Sequence, residues 1–152
     1  TAEKDIAISV HTADCLPILV YHPDGFIAAV HAGWRGTLQK IALKTASAMA
    51  EDFGIRLNDL KFVFMPAIRG CCYEVGAEVA VFFENRGYND KGELYIDVTL
   101  ENIAQLRDFG IPGENITVIP ICTNCFNGFD FPSFRKEGLL IRRSVNFIAC
   151  QS

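Results

Sequence analysis

Two residues able to do chemistry at neutral pH stand at matching places early in the chain. Cys15 follows Asp14 and leads into Leu16-Pro17, and His31 opens the run His31-Ala32-Gly33-Trp34-Arg35-Gly36. A thiolate and a neutral imidazole are both good zinc ligands, and together they are also the nucleophile and base of a cysteine hydrolase. Spacing alone does not choose between these chemistries. A buried thiol or a hydrogen-bonded structural imidazole would account for either residue with no chemistry at all. The surroundings favour function: Gly33 and Gly36 bracket Trp34-Arg35 ahead of a helix, where backbone N–H groups and a guanidinium can face an anion. Gly there also suits a tight turn, and Trp34 the core.

Further candidates lie downstream. Cys122-Thr123-Asn124-Cys125 resembles half of a zinc ribbon or a thioredoxin-type redox pair. A structural zinc would need two more ligands, and the adjacent pair Cys71-Cys72 supplies them only awkwardly. A redox pair belongs at the start of a helix, whereas Phe126-Asn127-Gly128 reads as loop. The expectation is therefore loop thiols. Ser133, Arg135 and Arg142 are candidate binding residues for phosphate or carboxylate, since arginine captures both through paired N–H donors.

The elements that must position these groups follow from apolar spacing. Residues 5–10 alternate, 17–21 form an apolar run, and 26–30 form another after His22-Pro23-Asp24-Gly25, which predicts a strand and then a hairpin. Cys15 and His31 then fall at the same open end, opposite the turn. From Thr37 the period becomes helical and Gly54 stops it. Strands are predicted over 60–65, 93–98, 116–121 and 144–149, and helices over 77–86 and 99–110, the last capped by Thr99. The early hairpin argues against a simple wound parallel sheet and for mixed sheets covered by helices.

Composition sets the outer limits. The chain has 152 residues, half of them hydrophobic, enough for one domain with a buried core. Its net charge of −4 provides no basic field for nucleic acid. No apolar run approaches the roughly 20 residues of a membrane-spanning helix, and no secretory leader is visible. A core of this size needs no disulfides, so the six cysteines are expected to be reduced, as in a cytoplasmic protein.

Taken in order, Thr12-Ala13-Asp14-Cys15-Leu16-Pro17, His31-Ala32-Gly33-Trp34-Arg35-Gly36, Pro66-Ala67-Ile68 with Tyr73-Glu74-Val75-Gly76, and Cys122-Thr123 followed by Ser133-Phe134-Arg135 resemble the YfiH/YlmD family. That family is also called laccase-domain or polyphenol oxidase-like. The resemblance implies an α+β fold of four layers, helix, sheet, sheet and helix, with mixed β-sheets, comparable to the cytotoxic necrotizing factor toxins. It implies a single domain over 1–152 that lacks the N-terminal part of the family. It further implies a purine nucleoside enzyme: phosphorolysis of adenosine, inosine, guanosine or methylthioadenosine, and deamination of adenosine, with zinc as cofactor. Two family zinc ligands map to Cys15 and His31, and a third, an earlier histidine, has no match here. His11 lies outside the ligand motif. Departures from the family pattern are Met65, Arg69-Gly70, Pro132 and Ile141.

A zinc ion with three protein ligands keeps one position for water and lowers its pKa toward ~7, which suits attack on adenine C6. Phosphorolysis needs phosphate beside the ribose, a task assigned by charge and motif position to Arg35, with Arg135 or Arg142. The sequence thus nominates Cys15, His31 and Arg35 as catalytic, Arg35, Ser133, Arg135 and Arg142 as substrate-binding, and a nucleoside and phosphate as partners. The competing readings are a cysteine-nucleophile hydrolase or amidase using Cys15 and His31, a phenol oxidase and a non-catalytic domain. Three histidines are few for a multicopper oxidase.

Overall fold

The opening alternation forms β1 (Ile6–Thr12), the apolar run forms β2 (Leu16–Tyr21), and the segment after the turn forms β3 (Ile27–Ala32). The computed structural model describes residues 1–138 and 142–150. Gly25 closes the β2–β3 turn with φ +92°, a value that L side chains resist, and its N–H donates to the His22 carbonyl at 2.9 Å. The helical stretch that follows is split. Helix α1 (Trp34–Leu38) ends and α2 (Ile41–Phe53) begins around Lys40, whose φ of +57° turns the chain between them. The Gly54 stop is left-handed, with φ +65°.

Next come β4 (Lys61–Phe64), α3 (Ala77–Ala80), a small hairpin of β5 (Gly87–Tyr88) and β6 (Leu94–Tyr95), α4 (Val98–Asp108), β7 (Ile116–Val118), α5 (Phe134–Glu137) and β8 (Ser144–Cys150). Helix α3 stops well short of the expected residue 86. Asn85 instead pairs with Asp97 much as a strand backbone would, accepting its N–H at 3.1 Å and donating to its carbonyl at 2.9 Å. That pairing draws the chain off the helical path.

The fold is mixed α+β with mixed sheets. Four strands run in the order β3-β2-β4-β7, with β2 antiparallel to both β3 and β4 and β4 parallel to β7. Strands β1 and β8 pair antiparallel in a second sheet and lie against β3, while α1 and α2 pack on β3. Leu16, Ile18, Val20, Phe62 and Phe64 are fully buried beside Ala42, Ala46 and Leu106 of the helices. Each large apolar side chain buried this way contributes roughly 1.5–3 kcal/mol. Among the described residues no helix is long and apolar enough to cross a membrane.

Helix α4 is capped by Asp97, not Thr99. The Asp97 carboxylate reaches two first-turn amides, those of Thr99 at 2.9 Å and Leu100 at 3.1 Å, and Thr99 is already helical. The other carboxylate oxygen accepts from Arg69 Nε at 3.0 Å and Gly70 N at 3.1 Å. This accounts for the Arg69-Gly70 departure: the arginine finds a buried partner, and a Cβ at Gly70 would come within 3.3 Å of the Asp97 Cβ. Asp97→Ala therefore removes a cap and strands a mostly buried guanidinium, so a loss of about 3–5 kcal/mol is expected in urea unfolding with an unchanged slope. A loss under about 1 kcal/mol, the worth of a cap alone, would contradict this reading.

Candidate active site

The hairpin register places the two candidate residues at the same end of the sheet, with His31 exposed. Leu16 pairs with Ala32 and Pro17 with His31, so Cys15, one residue ahead of β2, stands across from Gly33. A Cβ at Gly33 would lie 3.1 Å from Cys15 Sγ. Any larger residue there would press on the thiol, which would have to shift by a few tenths of an ångström. The Arg143 guanidinium acts electrostatically on both Cys15 and His31.

Cys15 opens into a cavity of about 460 Å³ walled by Trp34, Tyr73, Phe134, Arg135 and Arg143. This is the size range of small-molecule sites. Two distant segments are held around it by one carboxylate. Asp14, in a left-handed conformation with φ +80°, accepts from Thr123 Oγ1 at 2.7 Å, Ser133 Oγ at 3.0 Å and Arg135 N at 2.9 Å. Its carbonyl accepts from Ile68 N at 2.9 Å. Arg135 is held at its other end as well: its guanidinium donates to the Glu74 carbonyl at 2.7 Å and lies 5.3 Å from the Tyr73 ring centre.

Burial pushes the Cys15 thiol above its ordinary pKa and Asp14 adds to this, with Arg143 opposing. Burial lowers the His31 pKa, and Arg143 lowers it further. At neutral pH the pair is thus a neutral thiol and a neutral imidazole, which is the wrong charge state for a thiolate–imidazolium dyad. It is compatible with metal binding, since a metal displaces the thiol proton on coordination. A sulfur and a nitrogen donor at one hairpin end are two of the donor types that tetrahedral zinc takes. Among the described residues, no group of three or more His, Cys, Asp or Glu donors forms around them. Burial, followed by the nearby Cys15, pushes the Tyr73 phenol up to about 12, so it remains a hydrogen-bond donor.

The structure places the other nominated residues as follows. Arg35 is exposed, with its guanidinium 4.2 Å above the Trp34 ring, and its charge reaches Tyr73. Ser133 is fully buried and donates to Asp14, so the expectation that it touches substrate gives way to a fastening role. Arg142 does not line this cavity and pairs with Asp130 at 2.8 Å and Glu137 at 3.0 Å, while its neighbour Arg143 does line it. Ile141 lies outside the described residues. The expectation of unrelated loop thiols also needs correction. Cys71, Cys72, Cys122 and Cys125 converge, with all four sulfurs within 4.8 Å of one another, and could hold a metal ion.

A family model described as multi-copper polyphenol oxidoreductase laccase matches residues 1–151. The chain belongs to this laccase family. It is 34% identical over 153 residues to a protein of Clostridium acetobutylicum named purine nucleoside phosphorylase, covering 97% of this chain and 64% of that one. It is 35% identical over 149 residues to adenosine deaminase RL5 of an unknown prokaryotic organism, covering 91% of this chain and 56% of that one. Among solved structures, YlmD from Geobacillus stearothermophilus superposes with a TM-score of 0.90 at 28% identity, covering 99% of this chain and 59% of that one. This laccase-family chain therefore spans less than two thirds of the length of the relatives it matches.

Because the Asp14 carboxylate gathers two segments, its replacement should be felt across the cavity. Asp14→Ala loses three hydrogen bonds to an ionisable carboxylate, of which each is worth roughly 1.5–3 kcal/mol when the acceptor is charged. The expected outcome is strong destabilisation together with rapid proteolysis of residues 121–135. Asp14→Asn keeps an acceptor and tolerates a left-handed backbone, so it should recover part of the loss. Equal stability of wild type and Asp14→Ala would show that the carboxylate does not fasten the loop.

Proposed function

We propose that this chain carries the site of a zinc-dependent purine nucleoside phosphorylase that also deaminates adenosine. Its partners are a nucleoside, with adenosine, inosine, guanosine and methylthioadenosine as candidates, and inorganic phosphate. Residues 1–152 contribute one domain to this work, which takes place in the cytoplasm. The observation that carries this reading is the cavity in which Cys15 faces two guanidinium groups and three aromatic rings. The names of the relatives support it.

Cys15 and His31 would hold the zinc with a further ligand from outside the described residues, and the ion when bound supplies Lewis acidity that activates water at neutral pH. The chain's own groups divide the remaining work. Arg135 is oriented at both ends, so its guanidinium meets an anion without first losing freedom. With Arg143 in the wall and Arg35 over the ring of the wall residue Trp34, it forms a cationic site in a chain of net charge −4. Phosphate held there gains charge-assisted hydrogen bonds and is presented to the ribose C1′. Its negative charge stabilises the oxocarbenium character that develops as the glycosidic bond breaks. Trp34, Tyr73 and Phe134 offer flat apolar surface to the purine, and the protonated Tyr73 phenol donates to a base nitrogen or carbonyl.

The test is a comparison of two variants in the intact protein. Cys15→Ala is expected to abolish both phosphorolysis and deamination while the protein remains folded. Arg35→Ala is expected to reduce phosphorolysis by on the order of 10²-fold, the usual cost of one lost transition-state donor, and to affect deamination far less. Full turnover by folded Cys15→Ala would sink the assignment of Cys15. Equal loss of both reactions in Arg35→Ala, at unchanged melting temperature, would remove Arg35 as a phosphate ligand.

A further inference from the structure

The four converging cysteines sit on two loops that the fold brings together from distant parts of the sequence. Along the first, the Arg69 carbonyl accepts from both Cys72 N at 2.8 Å and Tyr73 N at 2.9 Å. The chain turns tightly there, so the neighbouring Cys71 and Cys72 side chains aim at one point where an extended backbone would send them to opposite faces. Along the second, Phe126 N donates to the Cys122 carbonyl at 3.1 Å, closing a turn that returns Cys125 to Cys122. The loops are joined beside the cluster by the bridge between Ala67 and Cys122 and by Thr123 N donating to the Ala67 carbonyl at 3.1 Å.

We propose that Cys71, Cys72, Cys122 and Cys125 form a tetrathiolate zinc site, separate from Cys15 and His31, that staples the two loops. Four thiols with sulfurs within 4.8 Å of one another already approximate the donor set. Tetrahedral zinc with Zn–S near 2.3 Å sets its sulfurs about 3.8 Å apart, and the Cys71 and Cys125 sulfurs stand 3.6 Å apart. Cys122 is buried at the point where the two loops are bridged. Cys71 and Cys125 are exposed, which gives the ion an entry path. Zinc takes the place of the thiol protons, which pass to solvent, and no oxidant is required.

The placement gives the staple a consequence. One tethered loop carries Tyr73, and the other carries Thr123, whose hydroxyl donates to Asp14, before continuing to Arg135. Two walls of the cavity are therefore fixed from behind by the cluster. The observation that adjacent cysteines chelate awkwardly holds for extended chain and does not hold for this turn.

The test uses the intact protein, reduced and stripped of metal, in a Cys15→Ser background that disables the other site. Titration with Co(II) is expected to saturate at one ion per chain with the strong sulfur-to-cobalt charge-transfer bands of a tetrathiolate, and zinc is expected to displace it. Adding Cys71→Ser and Cys125→Ser, both at exposed positions, is expected to abolish the bands and the rise in melting temperature that zinc produces. Absence of charge-transfer bands in the Cys15→Ser protein would overturn the proposal. So would their persistence in the triple variant, or a disulfide among these thiols that forms in preference to metal uptake when one equivalent of zinc is present. Because Cys15 is already replaced, each outcome is independent of whether the nucleoside reading is correct.

Discussion

The arrangement of the whole cavity depends on the carboxylate of Asp14. It lies between β1 and β2 in a left-handed conformation that a non-glycine residue adopts at a cost of about 1–2 kcal/mol. That cost is offset by hydrogen bonds from Thr123, Ser133 and Arg135, residues more than a hundred positions away. The twist at Asp14 also sends the next side chain, Cys15, into the cavity. One residue thus sets the direction of the thiol and gathers the segments that surround it. The second carboxylate of this kind, Asp97, does the same for the Arg69-Gly70 loop at the start of α4, and Tyr73 follows from that loop.

Local order was well written in the sequence. The hairpin and its open end were readable because two apolar runs flank a Pro-Asp-Gly turn, and the end of α2 because Gly54 tolerates the left-handed stop. The split at Lys40 was not, since a left-handed lysine carries no compositional mark. The early end of α3 was hidden because it arises from the pairing of Asn85 with Asp97, a contact between segments. The candidate site divides in the same way. Cys15 and His31 were recognisable from type and strand position, whereas the fastening of Ser133 and the exchange of Arg142 for Arg143 depend on which loops touch. The cysteine cluster is the sharpest case: its members are separated by 54 positions, and adjacency in sequence argued against a geometry that the turn at Arg69 makes natural.

Electrostatics tie the two sulfur sites to different tasks. Around Cys15, burial and Asp14 hold the proton on the thiol, and two guanidinium groups line the cavity. Around the buried Cys122, three further thiols converge. The first environment suits a metal that must leave room for substrate and the second a metal enclosed by its ligands, the distinction that separates catalytic from structural zinc.

The most direct measurement is anomalous diffraction at the zinc absorption edge from crystals of the intact protein grown with a purine nucleoside and phosphate. The account predicts a zinc peak bonded to Cys15 Sγ and the His31 ring, with phosphate on the Arg135 and Arg143 side, and a second peak enclosed by the four cysteines. Ordered Cys15 and His31 side chains with no metal between them, in crystals whose protein is active, would contradict it.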